Sequence, residues 1–278
     1  MTQATLPNPT LTQPWAALLH SAPALWNGLS ATLARFDDIP DTPDITQLNR
    51  AARQTEICNA HGQPIVFIEQ HEPCGQRAYE RHIFERGEVL TRPGLWHDIF
   101  NACMWLTYPH IKAALNAVHL RQTDTRRRTP ASDAATVFDE SGAILIGPDP
   151  RLATWLVQHD WQAAFVTHRH LWATHHLLVV GHAVLEKLAK PYPGMIAKVI
   201  YQPWPAVSPH TQPESLLSVP PQGLDQAVAK RWQADEFTCA ADLFPIPVLG
   251  IPGADPANHE ANYYDNTTVF RPKRGAQA

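Results

Sequence analysis

An α+β fold is predicted: one domain with a mixed sheet, packed helices and long proline-rich loops, or an α/β core with irregular additions. Three observations lead there. Helix-period runs and β-rich runs are interleaved along the chain without an internal repeat. The 26 prolines among 278 residues are about twice the usual share, which favours ordered irregular connections over a regular bundle. Charged residues make up 17% and hydrophobic ones 44%, enough apolar chain to bury a sizeable core.

The elements follow in order. Residues 1–13 read as a flexible polar leader, residues 14–272 as a single globular domain, and residues 273–278 as a disordered tail. "PWAALLHSAPALWNGLSATLARF" (14–36) reads as two short helices parted near Pro23. "DITQLNRAARQ" (44–54) is a helix with Asp44 as its cap, because Ile45, Leu48, Ala51 and Ala52 recur at helical spacing. "QPIVFIEQ" (63–70) has strand composition, and "RAYERHIFERGEVL" (77–90) is a helix stopped by Gly87. "LWHDIFNACMWLTYPHIKAALN" (95–116) must divide at Pro109, which cannot sit inside a straight helix but suits a first turn. "DAATVFDESGAILIG" (133–147) reads as strand, tight turn, strand, with Gly142 at a positive φ. Residues 149–173 are helical in pattern, "HLLVV" is a buried strand, "HAVLEKLAK" a helix ended by Pro191, and "GMIAKVIYQ" (194–202) a strand. A proline-rich stretch (203–221), the helix "LDQAVAKRWQADEF" and an extended, wrapping C-terminal segment complete the chain.

Net charge is −4 and the pI about 6.4. A duplex-binding protein usually carries a basic face, and the only dense basic run, Arg126-Arg127-Arg128, reads as a solvated loop. A nucleic-acid partner is therefore not supported. The cysteines, Cys58, Cys74, Cys103 and Cys239, form no C-x-x-C pair, which suits a reducing compartment. No apolar run approaches the roughly 18 residues needed to span a bilayer, and the N-terminus lacks a signal pattern. The expectation is a soluble cytoplasmic protein with a small-molecule or protein partner and no membrane association.

Three places carry candidate chemistry. On a helical wheel with His97 at zero, Asn101 falls at about 40°, Trp105 at about 80° and Asp98 at about 100°, while apolar residues fill the opposite arc. Nothing between Leu95 and His110 is Lys, Arg, Glu or Gln, so the helix is buried. Buried Asp98 then needs a cation, a metal or free backbone N–H groups. The structural alternative is that the three polar groups are only internal staples. At "VVGHAVLEKL" a strand passes through Gly181 into a helix, and His182 and Glu186 share one face at i,i+4. Such a pair can bind a divalent metal or form an oriented acid–base couple. Asp139-Glu140, with Asp133 upstream, is either an exposed acidic turn or a carboxylate pair beside a pocket. The cluster His168, His170, His175 and His176 lacks metalloprotease spacing and reads as structural. P-loop, dinucleotide-fingerprint and nucleophile-elbow motifs are absent.

Several stretches together resemble the bacterial family catalogued as domain of unknown function 3025: "QLNRAA", "YERHIFERGEVLTR", "WHDIFNACMWLTYPHIKAALN", "DAATVFDESG", "GHAVLEKL" with Pro191-Tyr192, "PVLGIPG" and "YYDNTTVFRP". The resemblance runs over about residues 36 to 272 and implies kinship of fold and a bacterial origin, but no activity. Its motifs coincide with His97, Asp98, Asn101, Asp139, Glu140, His182, Glu186 and Arg169. Ala254 departs from the aromatic that the family carries after "GIPG", which weakens a role for the C-terminal loop as a pocket wall.

Two functions remain open on this reading. One is a hydrolase-like enzyme. His97, Asp98, His182 and Glu186 would be catalytic. The same four, with Asp139 and Glu140, would serve as ligands if a divalent metal is the cofactor. Asn101, Arg92 and Arg169 would bind substrate. Without metal, His182 would be the general base, oriented by Glu186 or Asp98. The other is a non-catalytic binding or adaptor protein whose tryptophans and prolines face a partner.

Overall fold

A computed structural model describes residues 24–39, 42–121, 129–206 and 220–273. The leader, the first helix expected before Pro23, the Arg126–Arg128 run, most of the proline-rich stretch and the tail beyond residue 273 lie outside the described residues.

The fold is α+β. After helical turns over Ala24–Leu29, Ser30–Leu33 and Ala34–Phe36 come helix α1 (Ile45–Thr55), strand β1 (Val66–Glu69), α2 (Gln76–Arg86) and β2 (Glu88–Thr91). Then follow α3 (Trp96–Thr107), α4 (Pro109–Leu120), α5 (Pro130–Ser141), β3 (Gly142–Gly147), α6 (Pro150–Gln158), β4 (His176–Val179), α7 (His182–Leu188), β5 (Ile196–Pro203), α8 (Leu224–Gln233) and β6 (Phe244–Pro247). The strands form a parallel β1–β2 pair and a four-stranded mixed sheet ordered β4-β3-β5-β6. In that sheet β3 is antiparallel to β4 and parallel to β5, with Ile144 opposite Leu178 and Ile200. Every residue of β3 is buried, as expected of a central strand covered on both faces.

Local signals explain most elements. Asp44 accepts from the Gln47 N–H while the Gln47 side chain accepts from the Asp44 N–H, a reciprocal cap that starts α1. Gly87, at φ 72°, ends α2 in the left-handed region. Pro109 opens α4, and Tyr108 separates it from α3.

Three expectations need correction. Residues 133–141 are not a strand and turn but the body of α5. Thr129 caps that helix, Pro130 is its first residue, and Ala134, Ala135 and Phe138 are buried at helical spacing. Gly142 has φ −74°, so it supplies no positive-φ turn; a side chain there would collide with the Phe138 carbonyl. Residues 88–91, just past the helix that Gly87 stops, form a strand that was not expected, β2, which pairs with β1. Finally, the helix of 149–173 breaks at His159, φ 60°, and resumes as a π-helical turn (Ala163–Thr167) and a 3-10 turn (Arg169–Ala173). The C-terminal segment does wrap the body, but through short 3-10 turns rather than extended chain. The Arg271 carbonyl accepts from Trp161 Nε1 at 2.8 Å, and Phe270 is buried among Trp161, Phe165 and Tyr264.

One joint places two chain segments side by side. The Gly142 carbonyl accepts from both the Val180 and Gly181 N–H groups, at 2.9 and 2.8 Å. This ties the α5–β3 junction to the β4–α7 junction. A Cβ on Gly181 would meet Gly142 N at 2.5 Å and both Glu140 O and Ser141 Cα at 2.6 Å, all backbone that cannot yield cheaply. Gly181→Ala is therefore expected to cost roughly 3 kcal/mol. Urea denaturation checks this as a lowered midpoint at unchanged slope; an unaltered midpoint would contradict the close approach.

Candidate functional site

The joint brings Glu140, in the last turn of α5, beside His182, the first residue of α7. Helix α3 packs against α7 and adds His97 from its own first turn. The two imidazoles meet edge to face, centroids 4.5 Å apart at 87°. His97 Nε2 lies 3.5 Å from Glu140 Oε2, and His182 Nε2 lies 3.6 Å from Glu140 Oε1. One ligating atom from each of these three residues fits within a 4.8 Å cluster.

Each imidazole has an aspartate on its other side. His97 Nδ1 is 3.2 Å from Asp98 Oδ1, and His182 Nδ1 is 3.9 Å from Asp139 Oδ2. Both aspartates are themselves anchored. Arg92 donates to Asp98 from Nε at 2.9 Å, from Nη2 at 2.7 Å and from its backbone N–H at 2.8 Å. Of the partners open to Asp98, it has thus taken a cation together with a backbone N–H of the preceding loop. Lys112, only 5% exposed, donates to Asp139 Oδ1 at 2.5 Å and to Asn101 Oδ1 at 2.7 Å. Asn101 in turn donates from Nδ2 to the Tyr79 hydroxyl at 2.9 Å.

All of these residues but Lys112, which lies behind Asp139 and Asn101, line a cavity of about 360 Å³. Tyr79, Glu80, Arg92, His97, Asp98, Asn101, His119, Asp139, Glu140 and His182 contribute to its wall, with Gln70, Cys74, Gln76, Leu90 and Thr136 around them. His119 and Glu80 mark a further part of that wall: His119 Nδ1 is 2.8 Å from Ser132 Oγ, and Nε2 is 3.8 Å from Glu80 Oε1.

Charge is arranged to hold this cluster ionised. Burial disfavours the His97 imidazolium, but hydrogen bonding to Asp98 and Glu140 outweighs it and raises the group to about 9. Burial likewise works against the Asp98 carboxylate, and Arg92 and His97 reverse it, lowering the group to about 2. Glu140 is held well below the usual carboxylate range, because the His182 and His97 rings beside it overcome burial. Asp139 is lowered despite burial, chiefly by the Lys112 ammonium.

The predicted site residues divide. His97, Asp98, Asn101, Asp139, Glu140, His182 and Arg92 all reach this cavity. Glu186 does not. It shares α7 with His182, but it lies outside the cavity lining and the three-residue cluster, and it acts only at a distance on Arg92. An i,i+4 spacing puts two side chains on one helix face; it does not make both reach a cavity at the helix end. Arg169 is also elsewhere, donating to Tyr264 Oη at 2.9 Å and the Asn258 carbonyl at 3.1 Å, so it fastens the C-terminal wrap. Ala254 and its loop take no part in the cavity wall. Among the histidine cluster, His175 spends Nδ1 on the Leu171 carbonyl and Nε2 on Asp149, and His168 stacks on Trp155. Sequence reasoning missed Tyr79, Glu80, Lys112 and His119 as site residues. For Lys112 a signal existed: it is the single acidic or Lys/Arg side chain of α4, an otherwise apolar helix start.

A family profile described as "Protein of unknown function (DUF3025)" matches residues 65–274. The chain belongs to this family. The match includes every residue of the cavity wall, from Gln70 to His182. No curated protein and no solved structure matches the chain. Among the described residues, no helix is long and apolar enough to cross a membrane.

The charge pattern predicts a two-limbed stability profile for metal-free protein. Asp98 has a depressed pKa, so its contribution is complete above its unfolded value, about 3.9, and is lost as pH falls toward 2. His97 has a raised pKa, so its contribution is complete below about 6.5 and is lost as pH rises through about 9. Urea unfolding across pH should show both limbs. His97→Gln should flatten the alkaline one and Asp98→Asn the acid one; a wild-type profile flat through pH 9 would refute the assignment for His97.

Proposed function

We propose that this protein is a metal-dependent hydrolase in which His97, His182 and Glu140 hold one divalent cation of the zinc class. One observation carries the reading. The Nε2 atoms of two imidazoles converge on the two oxygens of one glutamate, while each Nδ1 faces an anchored aspartate. The Nε2-to-oxygen separations of 3.5 and 3.6 Å are long for hydrogen bonds. They match the roughly 3.4 Å between two ligands that sit about 2.1 Å from a tetrahedral metal. Two histidines and a glutamate with a fourth position open to a cavity is a donor set that catalytic zinc uses.

A cation bound there would supply Lewis acidity, activating a water or polarising a carbonyl oxygen. The chain's own residues do the positioning. Asp98 keeps a proton on His97 Nδ1, and Asp139 would do the same for His182 on closing its 3.9 Å gap, which leaves each Nε2 lone pair free to ligate. Arg92 and Lys112 fix those two aspartates from behind. In this reading Asp98 and Asp139 orient ligands rather than ligate, and Glu186 has no part. His182 Nδ1 supports the assignment: it is buried and has no hydrogen bond, with Asp139 at 3.9 Å as its nearest ionic partner. A small inward movement of the ring or of Asp139 on binding would complete that pair.

Elemental analysis of purified protein is expected to find about one equivalent of metal per chain. His97→Ala, His182→Ala and Glu140→Gln should each weaken zinc binding by roughly 100-fold or more, and Asp98→Asn and Asp139→Asn by about 10- to 100-fold. Glu186→Gln should leave it unchanged. Absence of stoichiometric metal, with no rise in melting temperature across a divalent series, would sink the metal site. It would leave the cluster as an internal staple of a non-catalytic binding protein.

A further inference from the structure

Tyr79 sits at the end of a hydrogen-bond chain whose direction is fixed by chemistry. A lysine ammonium has donors only, so the Asn101 oxygen must face Lys112, at 2.7 Å. The Asn101 amide nitrogen is then committed to Tyr79 Oη, at 2.9 Å. The phenol oxygen therefore accepts, and its own hydrogen must point elsewhere. Among the described residues that hydrogen has no acceptor, and Tyr79 lines the cavity that His97, Glu140 and His182 share. Each bond in such a chain polarises the next, so the outermost O–H is the strengthened donor. Burial, together with the nearby charges of Glu80, Asp139 and Asp98, holds the phenol well above its ordinary pKa and keeps that proton in place.

We propose that Tyr79 is a catalytic residue of this site, and that its hydroxyl donates to the carbonyl oxygen of a small, neutral amide or ester as that oxygen becomes an oxyanion. The inference rests on the metal-hydrolase reading and names its substrate class. Neutrality of the substrate follows from the wall. Glu80, Asp98, Asp139 and Glu140 all line the cavity, and Arg92 has two of its three side-chain nitrogens on Asp98. With Arg92, Lys112 and a divalent cation set against those four carboxylates, no surplus positive charge remains to hold a doubly charged phosphate ester. A neutral carbonyl needs none in its ground state, and negative charge develops only where Tyr79 donates. One directional donor suits an oxyanion hole, whereas phosphate sites gather several cationic or backbone donors. In the step itself the oxygen of water bonds to the carbonyl carbon and the π pair moves onto the carbonyl oxygen. Collapse returns that pair and expels the amine or alcohol, which takes one proton from the attacking water. The Tyr79 proton stays on its oxygen throughout. Lys112 and Asn101 are positioning residues that act through Tyr79.

The test uses zinc-loaded full-length protein with acetohydroxamic acid, which chelates zinc as its anion and presents an oxyanion-like carbonyl oxygen to Tyr79, and a pair of chromogenic esters, para-nitrophenyl acetate and para-nitrophenyl phosphate. Tyr79→Phe is expected to weaken hydroxamate binding, read calorimetrically, by about tenfold or more while zinc affinity stays unchanged. Equal hydroxamate affinity in the two proteins overturns the role of Tyr79, and a larger zinc-dependent acceleration of the phosphate ester than of the acetate, each relative to its uncatalysed rate, overturns the substrate class. A second measurement is independent of metal. Protein carrying tyrosine labelled with carbon-13 at Cζ is studied in mixed light and heavy water. A cavity-facing hydroxyl exchanges fast and gives one averaged Tyr79 resonance. Two resolved resonances mean slow exchange against a protein acceptor and overturn the proposal. Failure of zinc to bind while Tyr79 exchanges fast overturns the metal reading and leaves Tyr79 a cavity-facing donor.

Discussion

A lysine ammonium shut away from water must find oxygen partners, because an unpaired buried charge costs several kcal/mol. Lys112 meets that demand with Asp139 of α5 and Asn101 of α3, and its charge lies 5.7 Å from the centre of the Trp105 ring. Three consecutive helices are thereby locked at one point. The consequence for the site is direct. Asp139 and Glu140 are neighbours at the end of α5, so fixing Asp139 fixes where Glu140 emerges. Asn101 lies one turn after His97 on α3, so fixing Asn101 fixes the rotation of that helix and the direction of His97. The Gly181 close approach then supplies the remaining coordinate by setting His182 against Glu140.

How much of this was legible depended on what each residue's neighbours reveal. The wheel of α3 was readable, because three polar side chains stand out on a helix whose other polar residue, Thr107, sits at its far end. The break at Pro109 was readable from proline's missing N–H. Helix α5 was not. "TVF" favours a strand and "DESG" a turn, and both preferences lose to burial of Ala134, Ala135 and Phe138 against the sheet and α8. That misreading moved Asp139 and Glu140 from a helix end to an imagined hairpin, although the residues themselves were singled out. Strand β2 was hidden for a related reason: four residues directly after a helix carry too little pattern to oppose it. Glu186 and Arg169 carry the same kind of chemistry but lie outside the cavity wall, a separation that only tertiary packing makes. Tyr79 was visible as part of a family motif, yet its role needs a donor chain that crosses three helices.

The same electrostatics separates an outer layer of tight pairs from a looser inner trio. A staple is most stable when each donor meets its acceptor at about 2.9 Å and no lone pair is wasted. Arg92 with Asp98, and Lys112 with Asp139, satisfy that standard. The inner trio does not. Its imidazole nitrogens stand 3.5 and 3.6 Å from the two oxygens of a single carboxylate, and His182 Nδ1 has no hydrogen bond at all. The outer pairs are tight and the inner trio is held open at their centre. If stability alone had shaped the cluster, the slack would close by a rotamer change of Glu140, whose half-exposed side chain has room to move. Slack enclosed by tight outer pairs, beside a cavity, is the observation on which the proposed cation site rests.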